Sequence, residues 1–133
     1  MRELVGILPS TKLTYLSVSY NPVGDEGLRA VTNVLADTTI ETLWFKEAGV
    51  SNEGVIELMS VLKEDKTVLE RLDLSHNQEI SAAVLDHLVT ATKGHSKLAF
   101  VGLEGSEVIN TPRGHNQCLI AASLLTNCAS ASL

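Results

Sequence analysis

The chain has 133 residues, of which 44% are apolar and 20% are charged, and its formal net charge is −6 at neutral pH. This length predicts a single domain that buries one hydrophobic core, and the apolar content argues against an intrinsically disordered chain. The acidic balance, without a cluster of lysines or arginines, argues against nucleic acid or an anionic membrane as a partner. A basic or polar protein surface fits this charge better.

The two cysteines and the apolar runs bear on the cellular compartment. Cys118 and Cys128 show none of the spacings of a zinc site or a disulfide framework, so we expect reduced thiols and neither a metal nor a cofactor. The N-terminal apolar stretch is too short for a signal peptide, and no apolar run is long enough to span a bilayer. These features predict a cytoplasmic protein.

In chain order, the first element is a short helix. The segment "RELVGIL" is typical of the end of a helix, and Leu8 precedes Leu13 by the same five residues that separate Leu35 from Ile40. We therefore interpret residues 1–12 as the helical half of a repeat.

A strand motif then recurs four times. The blocks "LTYLSV", "IETLWF", "LERLDL" and "LAFVGL" start at residues 13, 40, 69 and 98, which are 27, 29 and 29 residues apart. All twelve residues at the first, fourth and sixth positions are apolar, which chance would produce in one fixed register about five times in a hundred thousand. Each block predicts a strand with one buried face, and the returning connections predict parallel pairing.

A helix is predicted after each of the first three strands, because the apolar spacing there changes to about 3.6 residues. The apolar positions of these helices are Leu28, Val31, Val34 and Leu35; Val55, Leu58, Val61 and Leu62; and Leu85, Leu88 and Val89.

The helix ends have sequence signals of their own. Ser51 or Asn52 is a predicted N-cap of the second of these helices, and Ser81 of the third. Further along, Thr111 followed by Pro112 predicts the start of a last helix over about 112–126 that closes the stack, followed by a frayed tail at 127–133.

The combination of strand, Asn21, "GDEG" and helix resembles the leucine-rich repeat of the ribonuclease-inhibitor-like subtype. The second copy has Ala48 where the asparagine is expected, and the third keeps Asn77 but has one extra residue before Ile80. The resemblance covers residues 4 to about 109. It implies an α/β solenoid arc with a concave parallel sheet and convex helices, forming one domain over 1–126.

Catalytic motifs are not evident in the chain. His76, His87, His95 and His115 have no metal-ligand spacing. Asp73, Ser75 and His76 superficially suggest a hydrolytic site. Strand geometry argues against it, because residues 73 and 75 share one face while 76 lies where the strand ends, and we interpret the three as solvated polar residues on the sheet. We therefore expect a protein that is not an enzyme and has no catalytic residues.

The sheet face turned away from the helices has a different composition. It holds four of the five aromatic residues, and exposed aromatics and arginine are typical anchors of protein interfaces. The alternative is that these side chains only pack over one another on the sheet. The candidate partner-binding residues are Tyr15, Tyr20, Trp44, Lys46, Glu47, Arg71, Asp73, His76 and Phe100.

We therefore predict a non-catalytic module that binds a partner protein on its concave sheet face. The resemblance leaves two alternatives open. Repeats of this subtype also occur in regulators of enzymes such as nucleases and GTPases, and the actin-capping domain of tropomodulin is a short arc of similar architecture. Self-association through exposed solenoid ends is a further possibility.

Overall fold

Four short parallel strands form one sheet in a computed structural model that describes residues 2–106. The strands follow chain order across the sheet, and each pairs in parallel with the next. They are β1 (Tyr15–Ser17), β2 (Thr42–Trp44), β3 (Arg71–Asp73) and β4 (Phe100–Gly102). The pairing aligns Tyr15, Thr42, Arg71 and Phe100 in one row, which confirms the register predicted from the repeat.

Helices connect the strands on the other side of the sheet. They are α1 (Arg2–Ile7), α2 (Gly24–Val34), α3 (Asn52–Leu62) and α4 (Leu85–Gly94), with short 3-10 turns at Leu8–Ser10, Leu35–Asp37 and Ala82–Val84. Parallel strands lie about 4.8 Å apart and packed helices about 10 Å apart, so the stack curves with the sheet on its inner side. The predicted α/β arc is confirmed.

The core lies between the sheet and the helices. Eleven of the twelve apolar positions of the strand motif are buried, including the fully buried Leu43, Leu72 and Phe45. Leu13, the first of the twelve, is the exception and is 43% exposed. No strand among the described residues lies beside the outer edge of β1 to cover Leu13. Within the predicted helices, Val34, Val61 and Val89 flank the core and are only half-buried.

Asn77 joins two repeats through a buried hydrogen-bond network. Its side-chain oxygen accepts the backbone N–H groups of Ala48 at 2.9 Å and Val50 at 3.1 Å. Its amide group donates to the carbonyls of Phe45 and Leu74, both at 2.8 Å. The third repeat thus satisfies buried backbone groups of the second, which is what buried polar groups require.

The equivalent asparagine of the first repeat has a lesser role. Asn21 is exposed, and its amide donates to the carbonyls of Val18 at 3.3 Å and Ser19 at 3.0 Å, both within its own turn. Ala48 occupies the same position in the second repeat and is buried. A short apolar residue is tolerated at Ala48 because Asn77 binds the backbone of that turn from the neighbouring repeat.

A second series of side-chain hydrogen bonds joins the helix starts. The Asp25 carboxylate accepts the Ser51 N–H at 2.8 Å and the Ser51 hydroxyl, and the Asn52 oxygen accepts the Ser81 N–H at 2.8 Å. Ser81 accepts the Ala83 N–H at 3.3 Å, which confirms its predicted capping role. Ser51 occupies the predicted N-cap position of α3. It makes no side-chain capping hydrogen bond there, because its hydroxyl donates to Asp25.

Several predicted features lie outside the described residues. They are the last helix at about 112–126, the tail at 127–133, and the residues His115, Cys118 and Cys128. Within residues 2–106, none of the helices has the length and apolar character needed to cross a membrane.

We expect Leu43→Ala and Leu72→Ala each to lower the free energy of unfolding by about 2–5 kcal/mol, because each leaves a cavity beneath the central strands. Denaturant titration followed by circular dichroism measures this loss. Leu13→Ala is the matched control, since the same side chain is 43% exposed there, and its cost should be clearly smaller. An equal loss for all three variants would contradict the burial pattern.

We expect Asn77→Ala to destabilise the protein by at least about 2 kcal/mol, because it leaves two buried N–H groups without an acceptor, at about 1–3 kcal/mol each. The comparison is Asn21→Ala, whose exposed turn is accessible to water and should lose much less. Both variants are measured by the same denaturant titration. Similar losses at the two asparagines would exclude a special role for the bonds between repeats.

Candidate protein-binding surface

The concave surface is built from the side chains that the strands point away from the helices. Tyr15 is 49% exposed and Arg71 is exposed, whereas Thr42 and Phe100 in the same row are half-buried. Because neighbouring strands are in register, these four side chains form a continuous row across all four strands.

Three contacts organise the larger side chains on this surface. The ring of Tyr15 meets that of Trp44 edge to face, with centroids 5.2 Å apart and planes at 73°. Lys46 places its ammonium nitrogen 5.8 Å from the centroid of the Trp44 ring. The Arg71 guanidinium lies 5.7 Å from the Phe100 ring centroid. The first contact has the geometry of a favourable aromatic pair, and the other two have that of cation–π contacts.

Mutual packing covers only part of the aromatic area on this surface. Trp44 and Phe100 are half-buried, so their contacts with Tyr15, Lys46 and Arg71 cover part of each ring. The contacts hold the rings in fixed orientations and leave apolar area accessible. Anchors that are already ordered lose less conformational freedom when a partner binds.

The next strand positions bring Asp73 and Ser75 together against Gly102. Asp73 accepts the Ser75 N–H at 2.9 Å, and the Ser75 hydroxyl accepts the Glu104 N–H at 3.2 Å. Ser75 is only 3% exposed, so the interpretation of it as a solvated residue was wrong. A Cβ atom at residue 102 would lie 2.6 Å from Asp73 Oδ1, which explains the glycine in this row.

The turns after the strands form a second row at one end of the sheet. Its members, Tyr20, Glu47, His76 and Gly105, have positive φ angles of 63°, 46°, 63° and 74°. The N–H groups of the first three donate to backbone carbonyls of the next repeat at 2.8, 3.0 and 2.6 Å. This repeated bond fixes the left-handed turn, which glycine adopts most readily.

The three side chains of this turn row are open to solvent. Tyr20 is 65% exposed, and Glu47 and His76 are exposed as well. At the fourth position a Cβ atom would lie very close to the His76 ring, and Gly105 avoids this contact. Eight of the nine predicted candidate residues therefore lie on the strand rows or on this turn row. The ninth, Lys46, lies between Trp44 of the strand row and Glu47 of the turn row.

Sequence reasoning missed the part played by serines just before the turn row. The Ser19 hydroxyl accepts the Lys46 N–H at 3.0 Å, as the Ser75 hydroxyl accepts that of Glu104. These serines hold the ends of adjacent strands together. The available signal was a serine at the seventh repeat position in the first and third repeats.

Charged side chains of both signs lie on this surface. Lys46 and Arg71 lie over the rings of Trp44 and Phe100, and the acidic Asp73 and Glu47 lie in β3 and in the turn row. Within residues 2–106, no group of three or more histidine, cysteine or acidic side chains is placed to hold a metal ion.

Comparison with known proteins agrees with this geometry. A model of the family described as Leucine Rich repeat matches residues 10–31 and 65–83. The chain is 39% identical over 70 residues to ribonuclease inhibitor of Mus musculus and 35% identical over 79 residues to NACHT, LRR and PYD domains-containing protein 3 of Macaca mulatta. These alignments cover 51% and 57% of this chain but only 15% and 8% of the two relatives.

A solved structure shares the architecture. The C-terminal domain of tropomodulin from Caenorhabditis elegans superposes with a TM-score of 0.76, covering 99% of this chain and 81% of that domain at 14% sequence identity. At this identity the likeness concerns the fold. The repeat spacing, the parallel sheet and these matches together identify the chain as a leucine-rich repeat protein with repeats of the ribonuclease-inhibitor type.

Proposed function

We propose that the protein is a non-catalytic interaction module that binds a partner protein on its concave sheet face. The observation that carries the proposal is the group of Tyr15, Trp44, Arg71 and Phe100 on two neighbouring rows of the sheet. Their side chains are ordered by the Tyr15–Trp44 and Arg71–Phe100 contacts and are still partly open to solvent. Tyrosine, tryptophan and arginine are the residues most enriched among interface anchors.

The shape of the surface supports the same proposal. Strands in register present their side chains on a rigid backbone, so a partner meets groups whose positions are already set. The turn row extends this surface beyond the strand ends with Tyr20, Glu47 and His76. A partner that spans both rows would bury aromatic area and form charge pairs at the edge of the contact.

Alternative functions of the same architecture are tested by separate activity assays on the same protein. Similarity to ribonuclease inhibitor favours a test for inhibition of a nuclease. The fold shared with the tropomodulin domain gives a reason to measure actin filament elongation. Inhibition of the nuclease or a change in filament elongation would identify a specific function. A change in the rate of GTP hydrolysis by a captured GTPase would identify the remaining alternative, regulation of a GTPase.

We expect Trp44→Ala to weaken binding of a captured partner about thirtyfold, equivalent to about 2 kcal/mol, because it removes the central anchor and the ring that holds Tyr15 and Lys46. Arg71→Glu should also weaken binding, through reversed charge and loss of the contact with Phe100. The partner is isolated by affinity capture with the parent protein and titrated by isothermal calorimetry.

The charge-matched control is Lys93→Glu, which reverses an exposed charge near the end of α4 on the helical side. Its affinity should equal that of the parent once equal melting temperatures are established for all variants. Loss of binding in Lys93→Glu, with parent affinity in both sheet variants, would place the interface on the helices and reduce the aromatic row to packing.

The turn row gives a separate prediction in which stability and binding change in opposite directions. Tyr20→Gly and Glu47→Gly relieve a left-handed conformation that costs other residues about 1–2 kcal/mol, so we expect unchanged or higher stability. The same variants should weaken partner binding, because the exposed side chains are lost. Thermal melting and calorimetry measure the two effects, and a lower melting temperature with unchanged affinity would assign these side chains to the fold.

A further inference from the structure

His95 is a buried histidine that the proposed binding surface does not use. It is 4% exposed and follows the end of α4, in the turn that leads to β4. The backbone N–H of His95 donates to the Ala91 carbonyl at 2.9 Å. The ring lies at the junction of the third and fourth repeats, because it is hydrogen-bonded to Thr67 and to the N–H of Leu98.

The ring of His95 holds the turn through one specific tautomer. Its Nδ1 atom accepts the N–H groups of Lys97 at 3.2 Å and Leu98 at 3.1 Å, so this nitrogen carries no proton. The proton of the neutral ring is therefore on Nε2, which donates to the Thr67 hydroxyl at 2.7 Å. The preceding N–H, that of Ser96, binds the Asp65 carboxylate at 2.9 Å.

Three successive N–H groups of the turn are thus held by two side chains. Asp65 comes from the connection between α3 and β3, so the turn before β4 is attached to the repeat before it. Asp65 Oδ1 also lies 3.9 Å from His95 Nδ1. A proton on Nδ1 would face two N–H donors and would have one acceptor nearby, the carboxylate that now binds Ser96.

We propose that protonation of His95 weakens the junction between the third and fourth repeats. At acidic pH the turn at 96–98 loses its hydrogen bonds to the ring, and β4 becomes less firmly held. On protonation, Nδ1 becomes a donor, loses the N–H groups of Lys97 and Leu98, and pairs with Asp65. The row residue Phe100 lies in β4, so the loosening reaches the end of the concave surface.

The electrostatics of the junction agree with this direction. Burial lowers the pKa of His95, while Asp65 opposes that shift by attraction and Lys97 adds to it by repulsion. Hydrogen bonds from Ser96 lower the pKa of Asp65, which therefore remains a charged acceptor in mild acid. α4 contributes to this pocket the Ala91 carbonyl, which His95 binds through its backbone.

The sign of the pH effect follows from these shifts. An unfolded histidine takes up a proton below about pH 6.5, whereas His95 in its closed junction resists protonation. The stability of the junction is therefore complete above that pH and falls as the pH decreases toward the lowered value. Opening of the turn should increase up to about tenfold per pH unit in this window.

The test is amide hydrogen exchange of the full chain at pH 7.5 and pH 5.5, corrected for the intrinsic pH dependence of exchange. We expect protection of residues 96–103 to fall about tenfold in the parent while that of β2 stays constant. His95→Asn keeps an acceptor for Lys97 and Leu98 but cannot take up a proton in this range, so its protection should not change with pH. His87→Asn, at an exposed position on α4, should behave as the parent.

A second measurement needs no stable His95 variant. Nitrogen-15 NMR of the parent should show His95 as the Nε2-protonated tautomer at pH 7.5, with a titration midpoint below that of an unfolded histidine. Asp65→Asn should lower that midpoint further, since the acceptor loses its charge. A normal midpoint for His95, pH-independent protection in the parent, or an equal loss across all repeats would overturn the proposal.

Discussion

Burial of the first, fourth and sixth strand positions against neighbouring repeats is the constraint on which the rest of the structure depends. A single strand and helix cannot bury their apolar faces alone, so each repeat is stable only beside another. The exposure of Leu13, compared with 3% or less for Ile40, Leu69 and Leu98, shows what this burial requires. Ile40 and Leu69 precede strands with a neighbouring strand on each side, whereas β1 has one on a single side among the described residues.

Side-chain hydrogen bonds then determine how neighbouring repeats are joined. Asn77 binds the turn of the second repeat, and Asp25 and Asn52 bind the backbone at the starts of the following helical segments. Each of these side chains satisfies backbone groups that the strand ladder and the helices leave free. The bonds are not identical from repeat to repeat, so each junction has its own chemistry. The junction before β4 contains the buried ring of His95.

The side chains of the concave surface do not form part of the hydrophobic core. Tyr15, Trp44, Arg71 and Phe100 interact with one another, but the apolar core forms on the other side of the sheet. The turn row shows the same separation, since its backbone is fixed by hydrogen bonds while Tyr20 remains 65% exposed. Residues of this kind can vary with the partner while the repeat pattern stays the same, which is how one fold serves many binding functions.

The sequence by itself determined the repeat boundaries of the strands, their register and the outward position of the nine candidate residues, because burial of alternate positions admits only one register. It did not determine the exposure of Leu13, the burial of Ser75 or the bond of Ser51 to Asp25. Each depends on a group from another repeat, or on the absence of one among the described residues. The aromatic pairs, the left-handed turns and the tautomer of His95 were likewise decided by tertiary structure, since they require distances and angles between residues far apart in the chain.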